Sequence, residues 1–103
     1  MKHGRVDANQ SEIVQALREM GCSVQILSDV GEGCPDLLVG IGSPNGAPRN
    51  YLLECKTANG GLTSDQAEWH RDWRGQVAIV RSVEDAIMVV TFSTGRAGRR
   101  KAR

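Results

Sequence analysis

Apolar residues recur every three or four positions between Asn9 and Met20. Ile13, Val14, Leu17 and Met20 make one stripe, with Glu12, Arg18 and Glu19 off it. That period predicts an amphipathic helix over residues 9–20, with Asp7 or Asn9 as its cap and Gly21 as its stop. Gln10 lies three and four places before Ile13 and Val14, so it falls on the inward stripe at the first turn, while Glu12 projects to the side. The pattern then changes to short apolar runs separated by breakers. VQIL (24–27), LLVGI (37–41), YLLECK (51–56) and VAIV (77–80) read as strands. SDVGEG (28–33) and GSPNGAPR (42–49) are connecting loops, and Pro35 ends any helix before the second strand. The third run is apolar on both faces except at its C-terminal end, which predicts a central strand covered on both sides. TANGG (57–61) leads out of it, and the spacing Thr63-x-x-Gln66 fits a capping box opening a second helix that Gly75 closes. Ser82 caps a short last helix over 83–89. The expected fold class is α/β, in the order α-β-β-β-α-β-α, with a mixed central sheet flanked by helices in a single domain over residues 1–94.

Composition adds modest limits. The 103 residues are enough for one core, and with aromatics at only 4% that core must be aliphatic. No apolar run approaches the ~20 residues that span a bilayer, so no membrane association is expected. The start, MKHGRVDANQ, lacks a hydrophobic signal region, which places the expected location in the cytoplasm. Cys22, Cys34 and Cys55 are odd in number and lack Cys-x-x-Cys spacing, and they read as small buried residues in a reducing compartment rather than a disulfide or zinc framework. The net charge of +1 is unevenly spread. Residues 95–103, GRAGRRKAR, hold five of the 13 basic residues and no acid, leaving eight basic against 12 acidic residues, a net of −4, elsewhere. Arg96, Arg99, Arg100, Lys101 and Arg103 form a basic, disordered tail suited either to phosphate contact or to simple solubility.

The chemistry concentrates between Cys34 and Lys56. Asp36 stands at the mouth of one apolar run, and Glu54 and Lys56 stand two apart at the end of the next, on one face of the strand. If the two runs form a hairpin, both carboxylates and the amine share one end of the sheet. Oxygen ligands of this kind suit Mg2+ or Mn2+, with the backbone carbonyl of Cys55 as a further ligand and Gln10 as another, direct or through water. A phosphodiester repels hydroxide, so its cleavage calls for a cation on the phosphate oxygens and an activated water, and Lys56 can orient that water or stabilise developing charge. Gln66 stands in the first turn of the second helix, where its amide can meet the phosphate or Lys56, or serve only the capping box. His70 reads as a packing or surface residue. Trp69 and Trp73 share a helical face that buries against the sheet or a partner chain, or stacks unpaired bases.

At these residues the sequence resembles the PD-(D/E)XK nuclease superfamily, and more narrowly the small stand-alone VRR-NUC nucleases of phages and bacteria, which are Holliday-junction-resolvase-like. The stretches that carry the resemblance are DANQSEIVQALREMGCSV, GCPDLLVG, LLECK and LTSDQAEWHRDWRGQVAIVRSVEDA, in that order over most of residues 7–86. It implies a restriction-endonuclease-like αβββαβ core and hydrolysis of DNA phosphodiester bonds dependent on Mg2+ or Mn2+. It further implies Asp36 and Glu54 as metal ligands, Lys56 as the catalytic lysine and Gln66 as the later motif glutamine. Related nucleases often carry a glutamate on the first helix, and here the matching inward position is Gln10. Branched DNA such as four-way junctions or flaps, a homodimer and a bacterial or phage-infected host cell complete what the resemblance implies. Two alternatives stand beside it: a nucleic-acid-binding module with little or no catalysis, motivated by Gln10 and the basic tail, and a nuclease acting on RNA.

Overall fold

A computed structural model describes residues 9–43 and 46–92. The elements follow the expected order: α1 (Gln10–Glu19), β1 (Ser23–Ile26), β2 (Leu37–Ile41), β3 (Arg49–Cys55), α2 (Ser64–Asp72), β4 (Val77–Val80) and α3 (Val83–Phe92). Asp7 and the 95–103 tail lie outside the described residues, as does part of the 42–49 connection. Among the described residues no helix is long and apolar enough to cross a membrane.

The strands form one sheet in the order β1-β2-β3-β4. β1, β2 and β3 pair antiparallel, and β3 pairs parallel with β4. The parallel step needs a crossover, and α2 lies within it. In the β2–β3 hairpin Leu37 faces Leu53 and Val39 faces Tyr51, which puts the alternating apolar set of both strands on one side of the sheet. That side carries the core. Leu37, Val39, Tyr51, Leu53 and Cys55 pack with Ile13, Val14 and Leu17 of α1 and with Ala86 and Val90 of α3. Each fully buried aliphatic side chain contributes roughly 1.5–3 kcal/mol.

α1 ends as its sequence indicates: the amides of Gly21 and Cys22 return to the carbonyls of Arg18 and Leu17, which closes the last turn. At the other end Asn9 is the first flanking residue, but its side chain caps nothing. α3 begins at the expected place, with the Asp85 amide donating to Ser82 Oγ at 3.0 Å, and runs to Phe92 because Val90 still finds core to pack against.

The opposite face of the sheet differs from expectation. β3 is interior, as its composition implies, but its second face is only partly covered. Leu38 remains 37% exposed and Ile79 36%, and α2 buries none of its residues. The stripe formed by Gln66, Trp69, His70 and Trp73 does not sink into the sheet. Trp69 and Trp73 instead stack on each other, centroids 4.5 Å apart, and Trp73 stays 46% exposed. α2 is held at its N-terminal end, through polar contacts with β3, rather than by an apolar face.

Candidate active site

The hairpin register brings the carboxylates together. Because Leu37 pairs with Leu53, Asp36 stands across from Glu54. Just past the last paired residues of the hairpin the side chain of Asp36 takes up a main-chain donor: the Cys55 amide donates to Asp36 Oδ2 at 2.8 Å. The Asp36 carbonyl meanwhile accepts from the Leu27 amide at 2.7 Å. Asp36 is thus fixed by the ends of both neighbouring strands.

Glu54 is 1% exposed, although it is an acid. Its Oε2 lies 3.5 Å from Lys56 Nζ and accepts from Gln66 Nε2 at 3.0 Å. Its Oε1 is buried with no hydrogen-bond partner among the described residues. Burial, reinforced by the negative charge of Asp36 and opposed by Lys56, raises its pKa from 4.5 to about 7. An orphaned buried carboxylate oxygen beside a second carboxylate is the arrangement a hard cation would satisfy. The residues therefore fit Mg2+ or Mn2+, with Asp36 and Glu54 as the charged ligands. Among the described residues no three Asp, Glu, His or Cys side chains are placed to hold a metal ion together, so the remaining ligands would have to be carbonyls, amides, water or substrate.

Gln66 unites two of the roles its position allowed. The capping box forms: the Gln66 amide donates to Thr63 Oγ1 at 3.2 Å, and the Thr63 amide donates to Gln66 Oε1 at 2.9 Å. The same Oε1 accepts from Lys56 Nζ at 2.8 Å, while Nε2 reaches Glu54. One side chain closes the helix start and bridges the lysine to the acid.

Gln10 is buried, as its place on the inward stripe requires, yet its Nε2 donates to Ser28 Oγ at 3.1 Å rather than to either carboxylate. Its Oε1 is buried without a partner among the described residues. Glu12 is exposed. The five basic residues of the tail, Arg96, Arg99, Arg100, Lys101 and Arg103, lie outside the described residues.

Four residues near the site were not legible as parts of it. Cys34, read as a buried structural thiol, is half-buried, and its pKa is pushed up by burial and then by the charges of Glu54 and Asp36. Its position two before Asp36 was the only hint. His70, one turn past Gln66, packs edge-on against Trp69 with centroids 6.1 Å apart. Burial and then the positive charge of Lys56 lower its pKa, favouring the neutral ring. Asn9 Nδ2 donates to the carbonyls of Lys56 at 3.0 Å and Arg81 at 3.1 Å. Arg81 Nη1 donates to the carbonyls of Thr57 at 2.8 Å, Gly60 at 2.6 Å and Ala58 at 3.5 Å. A strand-end arginine and a helix-flanking asparagine carry no local pattern that announces such contacts.

No protein-family profile matches the chain, and no curated protein does. Among solved structures, the chain is similar to one described as a VRR_NUC domain, at 27% identity and a TM-score of 0.64, over 91% of this chain and 99% of that one. Together with the mixed sheet and its αβββαβ order, this likeness identifies the fold as a VRR-NUC-like α/β fold with a restriction-endonuclease-like core.

Proposed function

We propose that the protein is a metal-dependent endonuclease that hydrolyses DNA phosphodiester bonds, selective for branched structures such as four-way junctions or flaps and working as a homodimer. The observation that carries this reading is the buried Glu54 carboxylate, with one oxygen unpartnered, set against Asp36 and tied through Gln66 to Lys56. The similarity to a structure described as a VRR_NUC domain supports it. Asp36 and Glu54 would hold Mg2+ or Mn2+, with the Cys55 carbonyl as a further ligand and Gln10 contributing directly or through water. Such a cation supplies charge neutralisation on the phosphate and a lowered pKa for the attacking water. Lys56, aimed by Gln66, donates to the attacking water or to a phosphate oxygen as charge develops there. The buried setting strengthens these interactions, since little water competes for them.

The catalytic groups meet only the phosphate, which DNA and RNA share, so RNA cleavage belongs to the test. Gln10, an amide where an acid would bind a cation more firmly, favours a second reading: a nucleic-acid-binding module with weak or no cleavage. The test is a panel of junction, flap, duplex and single-stranded DNAs, with matching RNAs, incubated with Mg2+, Mn2+ or chelator. Wild-type protein should cut branched DNA only with metal, and Asp36→Ala and Lys56→Ala should remain folded yet cut about a hundredfold more slowly. Cutting by either variant at the wild-type rate would overturn the assignment, and binding without cutting under any metal would favour the second reading.

A further inference from the structure

We infer that Arg81 is a positioning residue for the Lys56–Gln66 pair, acting through the loop between them; this rests on the phosphodiesterase reading of the site. Lys56 directly follows β3 and Gln66 sits in the first turn of α2, and the connection between them, TANGGL over 57–62, is short of side chains that could order it. The chain has little intrinsic reason to hold one shape there, with consecutive glycines at 60 and 61. Arg81 supplies the order from outside. It follows β4 directly, beside Lys56, whose amide donates to the Val80 carbonyl at 3.0 Å. From that place one guanidinium nitrogen gathers the carbonyls of Thr57, Ala58 and Gly60. The Thr57 carbonyl also accepts from the Gly60 amide at 3.2 Å, so the arginine closes over a turn that already folds back on itself. A Cβ at Gly60 would lie 3.7 Å from Lys56 Cδ, which shows how near this turn runs to the lysine stem.

The arginine is itself anchored. Its amide donates to Asp85 Oδ2 at 2.8 Å, at the start of α3. Its carbonyl accepts from Asn9 Nδ2, the same nitrogen that holds the Lys56 carbonyl. The brace therefore ties α1, β3, β4 and α3 to one loop, and the loop delivers Gln66 to within 2.8 Å of Lys56 Nζ. Small displacements of positioned groups cost large factors in rate, which is why a turn that touches no substrate matters. Arg81 makes its contacts to main-chain carbonyls and not to the site's carboxylates, so its loss should alter geometry without altering ligand chemistry.

The experiment compares wild type, Arg81→Met, Arg81→Lys and Arg71→Met. The last is a control that also removes one positive charge, from an exposed side chain paired with Asp72 and Glu68 on α2. Steady-state cleavage of a substrate that wild type cuts is measured over a salt series, together with amide hydrogen exchange. Arg81→Met should lower kcat on the order of tenfold with KM within about twofold of wild type. Its Gly60, Thr63 and Gln66 amides should exchange faster, while the Leu52 amide in the sheet keeps its protection. Arg81→Lys should recover part of the loss, and Arg71→Met should match wild type. An unchanged kcat, or loop amides that exchange as before, overturns the inference. So does a raised KM with a shallower salt slope, which would make Arg81 a phosphate contact. Exchange accelerated throughout the sheet also overturns it, since the arginine would then serve general stability. If wild type cuts nothing, the phosphodiesterase reading fails by itself, and faster exchange confined to the loop would still establish Arg81 as its brace.

Discussion

Glu54 stores the tension of the site in one side chain. It is almost wholly removed from water, faces a second carboxylate, and has Lys56 and Gln66 on only one of its two oxygens. Burial and then Asp36 raise its pKa to about 7, so between pH 4.5 and 7 the folded protein holds a proton that the unfolded chain releases. This contribution to stability is fully present below 4.5 and is lost as pH rises through about 7. In chelator, wild-type stability measured by denaturant titration should fall across that window, relative to Glu54→Gln, by on the order of 2 kcal/mol. Mg2+ or Mn2+ should remove the fall, because a bound cation favours the ionised carboxylate. A difference between the two proteins that does not vary with pH would contradict the account. The sequence already exposed the main residues here. Asp36, Glu54 and Lys56 were legible because strand alternation and a hairpin fix their common end, and Gln66 because a capping box has a local spacing. Arg81 and Asn9 were not, since their contacts join residues 21 to 72 positions apart and depend on how the strands pair.

Among the elements, α2 is the one whose attachment the apolar pattern left open. The face of Trp69 and Trp73 was open to the sheet, to a partner chain or to stacked bases, and the structure removes the first of these: the helix buries no residue and is fixed by its first turn. Part of that fixing comes from the β1–β2 loop. Gly31, Glu32 and Gly33 all have positive φ, and Gly33 lies directly against the backbone of Asp65 and Gln66. A Cβ at position 33 would collide with the Asp65 carbonyl, and the backbone there, at φ +83°, is unfavourable for any side chain. Gly33→Ala should cost roughly 1–3 kcal/mol and push the start of α2 away from β3. Cleavage should then fall through Gln66 even though no residue of the site has changed. Wild-type stability together with wild-type cutting would show that the loop and helix are not coupled. The SDVGEG sequence announced a loop, but not its role as a stop for the helix start, because that contact spans more than 30 residues.

For the whole molecule, charge is divided between a body of net −4 and five basic residues in 95–103. Deleting those residues should weaken DNA binding and reduce the slope of log affinity against log salt by up to about four. An unchanged slope in filter-binding or fluorescence titrations would make the tail passive. The mixed sheet was legible as a set of four strands, because each is a short apolar run bounded by breakers. Its uneven coverage was not, since Leu38 and Ile79 look as apolar as the residues buried on the other side. The order of strands has one more consequence, for how the protein is made. Glu54 in β3 and Lys56 just after it are synthesised well before β4, yet β3 is flanked on one side by β4 alone. Until the ribosome has added Val80, the Lys56 amide lacks the carbonyl it binds, and until Arg81 follows, the turn after Lys56 lacks its anchor. A nascent chain can therefore pair β2 with β3 and set Asp36 across from Glu54, but the main chain at and just after Lys56 is secured only as the last strand is paired.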